Sequence, residues 1–133
     1  MPEWQDDVSV DDDTRLWRRI LVDDPAQIKQ DPNTGEPRPS SGAFRSTTEL
    51  VSITIVSSTM NSSDYLAEFP KHSLVEITAR AVRDADCIIV REPTPEDPGH
   101  ANIISNKRED GLLTPSQARK ISRTARWVVY KAP

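Results

Sequence analysis

Apolar residues in this chain come in short runs divided by polar, proline-rich connections. "RLWRRILV" (15–22) sets Leu16, Trp17, Ile20, Leu21 and Val22 around two arginines, and predicts a strand. Asp24-Pro25 then has the form of an N-cap and first helical residue, which predicts a short helix over "PAQIKQ" (25–30). "DPNTGEPRPSSG" (31–42), with three prolines, two glycines and an Asn-Thr-Gly turn, reads as a long loop. The clearest strand is "ELVSITIVS" (49–57), where Val51, Ile53 and Ile55 alternate with Ser52, Thr54 and Val56.

"NSSDYLAEF" (61–69) is a capped short helix ended by Pro70. Strands are expected at 74–77, 87–91 and 100–105, with a helical turn over 79–85. Thr114, Pro115 and Gln117 form the strongest helix start in the chain, a capping box opening "TPSQARKISRTA" (114–125). "RWVVY" (126–130) closes with a strand. Short strands alternating with short helices, without an internal repeat, predict an α+β fold with a mixed, mainly antiparallel sheet and three to four short helices.

Charge sharpens this outline. Net charge is −4, yet residues 1–13 hold six acids and no base, while 101–133 hold seven bases and two acids. The opening "MPEWQDDVSVDDD" is therefore expected to be a flexible, solvated acidic arm (1–13) ahead of a single domain (14–133), free to shield a basic C-terminal face or meet a basic partner. The acidic total argues against nucleic acid as a partner, and only the last quarter keeps that open. Along the terminal helix Arg119, Arg123 and Arg126 make one basic stripe, which a solvated face explains. No apolar run approaches the ~18 residues of a membrane span, and the acidic start is unlike a signal peptide. One cysteine, Cys87 in "CIIV", excludes an internal disulfide and reads as a buried small hydrophobe. A reducing, cytoplasmic setting is the default expectation.

Common catalytic motifs are missing: the chain has no Gly-rich phosphate loop, no HExxH and no GxSxG. With two histidines and one cysteine, no metal site is expected, and no cofactor is implied. His72, in "FPKHS", reads as a surface residue. His100 follows the rigid "PTPEDPG" lead. There it either staples the loop through a backbone carbonyl or, oriented by Glu96 or Asp97, serves as an acid-base. "RPSSGAFRST" (38–47) offers serine hydroxyls, Arg38, Arg45 and turned-in amides, a composition suited to an anion, with Phe44 as the alternative hydrophobic plug. Arg18 and Arg19 occupy adjacent strand positions, so they point to opposite faces. A guanidinium enclosed in this way needs a carboxylate of the protein or an anionic ligand, and pairing within the protein is the expected outcome.

"LWRRI", "RPSSGAF", "LVSITI", "VREPTPEDPGHANII" and "ARKISRTARWVV" together resemble a family of small bacterial proteins that share motifs but have no assigned activity. The shared motifs are an Arg-Arg-Ile start, a Ser-Ser-x-Ala/Gly-Phe loop, a Leu-Ser-Val-like strand and an Asn-Pro-x-His-Ala segment. The resemblance spans roughly 14–128, implies a free-standing domain, and singles out Arg19, Ser41, Phe44, Ser52 and His100. The chain departs from it with Asp97 before Pro98 and Gly99 before His100. "FRST" after an early-strand arginine also looks like part of the arginine–serine–glutamate arrangement of mono-ADP-ribosyltransferases. Arg18 or Arg19 and Ser46 would take its first two places, but Glu76 and Glu92 are both poorly placed for the third.

These features converge on an accessory binding domain of a bacterial cytoplasmic system. It would recognise a partner protein or an anionic ligand through Arg19, Ser41, Phe44, Arg45 and His100. The alternative is a small enzyme acting on a nucleotide or other phosphorylated substrate, with His100 as the catalytic acid-base and arginines as the anion clamp. A toxin-neutralising or scaffold protein that uses the acidic arm is a third expectation.

Overall fold

The structure, a computed structural model, describes residues 4–132. Its frame is a six-stranded sheet built from β1 (Arg15–Leu21), β4 (Val51–Ile55), β5 (His72–Thr78), β6 (Cys87–Arg91), β7 (His100–Ser105) and β8 (Arg126–Val129). The strand order is β6-β7-β4-β1-β5-β8, and every neighbouring pair is antiparallel. A separate two-stranded ribbon joins β2 (Ile28–Gln30) to β3 (Pro37–Pro39). The helices are α1 (Ser62–Tyr65), α2 (Ala79–Asp84) and α3 (Pro115–Thr124), with a 3-10 turn at Ser41–Phe44. This is an α+β architecture, and the six strands of the main sheet lie close to the positions that the apolar pattern predicts.

One face of the sheet carries the main core. Leu16, Ile20, Val51, Ile53, Val75, Ile77, Ile89 and Ile103 meet Val82 of α2, Ala118 and Ile121 of α3, and Phe44 of the 3-10 turn. α3 begins as its sequence dictates: Thr114 accepts from the Gln117 amide, and the Gln117 side chain returns a bond to the Thr114 amide at 2.9 Å. The Gln117 amide group then donates to the Asp86 carbonyl, and its oxygen accepts from Ser105, so the cap also pins the helix to the sheet. Cys87 is buried there, where burial pushes its thiol up to about 12, as an inert core position should be.

The opposite face is covered only in part. Trp17, Leu66 and Leu74 form a second, smaller cluster with Met60, Tyr65, Phe69 and Val129. Asn61 caps α1 by accepting from the Ser63 and Asp64 amides. The predicted helix over 61–69 shrinks to one turn, and bonded turns carry the chain on to Phe69.

Two expectations are corrected. Asp24 does cap a turn at Pro25, but the turn ends at Gln27, and Ile28–Gln30 become a strand instead of a helix. Pairing with Pro37–Pro39 decides this, a tertiary preference that local helix signals do not contain. The long loop is thereby reduced to its two ends. The acidic opening, over the described residues 4–13, is not a free arm. Arg83 of α2 holds Asp6 at 3.1 Å and Asp12 at 2.7 Å, and Arg91 of β6 holds Asp7 at 2.8 Å. The Asp7 amide donates to the Ile89 carbonyl, the Ile89 amide to Asp6 Oδ1, and Val10 is buried in the core. Residues 1–3 lie outside the described residues.

Candidate functional site

Strand register decides which side chains meet on the partly covered face. Trp17 is opposite Thr54, Thr54 is opposite His100, Arg19 is opposite Leu74, and Leu21 is opposite His72. Directly opposed residues share a face, as do alternate residues along a strand. Arg19, Thr54, His72 and His100 therefore project to one side, and Arg18 projects to the other.

Between β1 and β4 the sheet is split. Only Leu16–Ile55 and Trp17–Thr54 are in register, whereas β1 pairs with β5 along its whole length. Arg18 spans the opening: Nε donates to the Ala43 carbonyl at 2.5 Å and Nη1 to the Ser52 carbonyl at 2.6 Å. Across the same gap the Gln27 side chain accepts from the Leu21 amide at 2.9 Å. A polar cavity of about 340 Å³ occupies the split, lined by both arginines, Gln27, Ser52, Thr54 and His72. A wider cleft of about 930 Å³ adjoins it, with Ile55, Met60 and Phe69 among its walls. Arg19, Tyr65, Asp97 and His100 line both.

Neither arginine has a carboxylate within 4 Å among the described residues, so the expected ion pairing within the protein is not what holds them. Burial, reinforced by the neighbouring Arg19 charge, lowers the Arg18 pKa to about 10. The Arg19 guanidinium stacks 3.9 Å from the Phe69 ring centre and 5.4 Å from that of Tyr65. Its Nη1 donates to the Tyr65 hydroxyl at 3.1 Å.

From there a directed chain of hydrogen bonds crosses the cleft. Thr54 Oγ1 donates to Asp97 Oδ2 at 2.5 Å, which leaves its lone pairs for the Tyr65 hydroxyl, the donor at 2.6 Å. Burial raises the Tyr65 pKa, and the bond with Thr54 and the Arg19 charge work against that shift. Asp97 is fixed in turn by the Asp97 amide donating to Thr94 Oγ1 at 2.9 Å and by its carbonyl accepting the His100 amide at 3.0 Å.

His100 Nδ1 bonds the Glu92 carbonyl at 2.9 Å and lies 3.8 Å from the Glu92 carboxylate. Donation from Nδ1 to a carbonyl leaves Nε2 as the acceptor of the neutral ring. Gly99 is there because a Cβ would sit 2.6 Å from the Ile55 carbonyl oxygen, whose own amide donates to Gly99 at 2.8 Å. His72 contributes an orphan: its Nδ1 is buried without a hydrogen-bond partner among the described residues. Burial, then Arg19 and Lys131, lower its pKa and disfavour the charged ring.

Of the sequence-predicted site residues, the structure brings Arg19 and His100 together. Ser41, Phe44 and Arg45 line neither cavity. Phe44 is fully buried, a core plug whose ring lies 5.9 Å from the Arg18 guanidinium carbon, so the 41–44 turn braces Arg18 from behind. Ser46 caps the Thr48 and Glu49 amides. Glu76 is engaged by Trp17, Arg15 and Arg126, and Glu92 by Asn102 and His100. The arginine–serine–glutamate trio is thus not assembled. Sequence reasoning missed Tyr65, Thr54, Phe69 and the inward-facing His72. The usable signal was the alternation of β4, which puts Thr54 on the face opposite Ile53.

Comparison with protein-family models, with curated proteins and with solved structures finds no match. The resemblance to the bacterial motif family therefore rests on its motifs alone. Among the described residues, no group of histidine, cysteine and carboxylates is placed to hold a metal ion, and no helix is long and apolar enough to cross a membrane.

Proposed function

We propose that this protein is a binding domain for an anionic small molecule, seated where β1 and β4 separate, and that it serves as an accessory component of a bacterial cytoplasmic system. One observation carries the reading: adjacent guanidiniums, Arg18 and Arg19, open on one cavity without a carboxylate partner among the described residues. Enclosed positive charge of this kind is costly to keep unless something neutralises it. The site is centred on Arg19 and His100, and the 38–47 loop acts through Ala43 as a support for Arg18 and not as a ligand-contacting wall.

The hydrogen-bonded chain from Tyr65 through Thr54 to Asp97 favours a second reading, a small enzyme that moves a proton along that chain. A thermal-shift panel of nucleotides, dinucleotides and simple phosphate esters tests the first. A ligand at 100 times its dissociation constant adds ~2.7 kcal/mol, and Arg19→Ala should abolish the shift. A silent panel removes the anion site, and a shift that survives Arg19→Ala places it elsewhere. Conversion of any hit to product, lost in Tyr65→Phe while binding persists, would select the enzyme.

A further inference from the structure

Hydrogen-bonding direction along β1 shows what the split leaves open. The Val22 amide donates to the Lys71 carbonyl and the Ala79 amide to the Thr14 carbonyl, so Leu16, Arg18 and Ile20 bond toward β5. The Val56 amide donates to the Arg15 carbonyl, so Trp17 and Arg19 turn toward β4. On β4 the Ile55 amide donates to the Gly99 carbonyl beside β7, which turns Ser52 and Thr54 toward β1. The register that pairs Trp17 with Thr54 would next pair Arg19 with Ser52, and that pair is not made. Side chains cap two of the main-chain groups instead: Arg18 Nη1 donates to the Ser52 carbonyl at 2.6 Å, and Gln27 Oε1 accepts from the Leu21 amide at 2.9 Å. The Arg19 amide and carbonyl and the Ser52 amide keep no ladder partner, beside the cavity of about 340 Å³ that both residues line.

We propose that the C-terminal end of an extended peptide docks in this split and takes the place of the missing pair. A strand residue presents its N–H and C=O together, and the group that matches both at once is another strand residue. Two donors and one acceptor fit a chain end. The penultimate residue would exchange both bonds with Arg19, and the terminal carboxylate would accept from the Ser52 amide, because successive residues face opposite sides. The split is closed at Trp17–Thr54, so a chain that enters past the exposed Ser52 has to stop there. From Arg18 to Leu21 the open edge measures about 10 Å, the length of two or three extended residues. A carboxylate suits that inner end, since the guanidiniums beside it bond only the neutral oxygens of Ala43, Ser52 and Tyr65 and keep their charge. The inference rests on the anion-binding reading for this charged end and adds the chain that carries it.

N-acetyl-Ala-Val-Ala tests this by calorimetry and amide hydrogen exchange, beside its C-terminal amide, its valine N-methyl form and inorganic phosphate. At saturation the acid should slow exchange ~10-fold at the Arg19 and Ser52 amides and leave Leu21, already held by Gln27, unchanged. Amidation of the carboxylate, and N-methylation of the valine that faces the Arg19 carbonyl, should each weaken binding ~10-fold. A peptide that binds without slowing either amide, that binds as tightly when amidated or N-methylated, or that does not bind at all overturns the docked chain end. Inorganic phosphate then decides the anion site separately: the site stands if phosphate binds and falls if it does not.

Discussion

Replacing Arg18 with methionine separates a structural clamp from a residue kept for its ligand. Two opposing contributions can be worked from the structure. Burial has moved the Arg18 pKa from 12.5 to about 10. That is equivalent to roughly 3 kcal/mol against keeping the charge in the fold. The penalty is fully present at neutral pH, because the group is protonated in both states below its folded pKa. Between about 10 and 12.5 the unfolded chain binds the extra proton, so stability rises with pH there. Removing the guanidinium relieves this cost but strips the donor from two carbonyls. Ser52 is exposed, and water can replace the lost bond; Ala43 is buried, and an unpaired carbonyl there costs about 2–3 kcal/mol. The methionine stem keeps most of the packing. Arg18→Met should therefore change the unfolding free energy by less than ~1 kcal/mol, read from urea titration with tryptophan fluorescence. Affinity for a phosphate ester should fall at least ~10-fold in the same protein, the size of one charge-assisted contact. A loss of stability above ~3 kcal/mol, the range expected for breaking a buried charged contact, or an unchanged affinity, would refute this account of Arg18.

The remaining predictions follow from single contacts. His72 titrates below its ordinary 6.5 in the fold because burial, Arg19 and Lys131 disfavour its cation, so the unfolded chain takes up the proton first. Stability should fall as pH drops below 6.5, and the drop between neutral pH and that window should flatten in His72→Gln, followed by thermal unfolding. Arg83→Ala frees Asp6 and Asp12 and should cost about 1–2 kcal/mol in partly exposed charged bonds, with faster amide exchange at Ile89. Equal exchange in both proteins would deny the tether. Gly99→Ala forces a Cβ against the Ile55 carbonyl and should destabilise by ~1–3 kcal/mol while weakening any cleft ligand; a neutral result would mean that the loop bends away freely. Phe44→Ala should cost about 3–5 kcal/mol, since the ring is fully buried in the core, and a cost under ~1 kcal/mol would contradict that burial.

Legibility tracked the range of the interaction. The capping box at Thr114 and the alternation of Val51–Ile55 depend on neighbours within a few residues, and the structure shows both where the sequence puts them. β2 went unrecognised because its identity comes from Pro37–Pro39, and Pro25 gives a convincing local signal for the wrong element. Arg19 and His100 stood out by composition and context, and they do share a cleft. Tyr65, Thr54 and His72 were invisible as a group because three strand pairings and the return of α1 across the sheet assemble them. Ser41 and Arg45 drew attention as loop residues, yet the turn that bears them serves the opposite face. Sequence could say that Arg18 and Arg19 diverge, but not that the sheet parts beside them.

The acidic segment tied along β6 has a consequence beyond its ion pairs. An open sheet has two borders whose unpaired amides and carbonyls invite strands from other molecules. Here the chain's own start occupies one border, through the Asp7 amide on Ile89 and the Ile89 amide on Asp6. Of the two borders of the main sheet, that leaves β8 as the one that this segment does not cover. Cutting away residues 4–13 would bare the Ile89 amide and carbonyl and open the β6 border to strand addition.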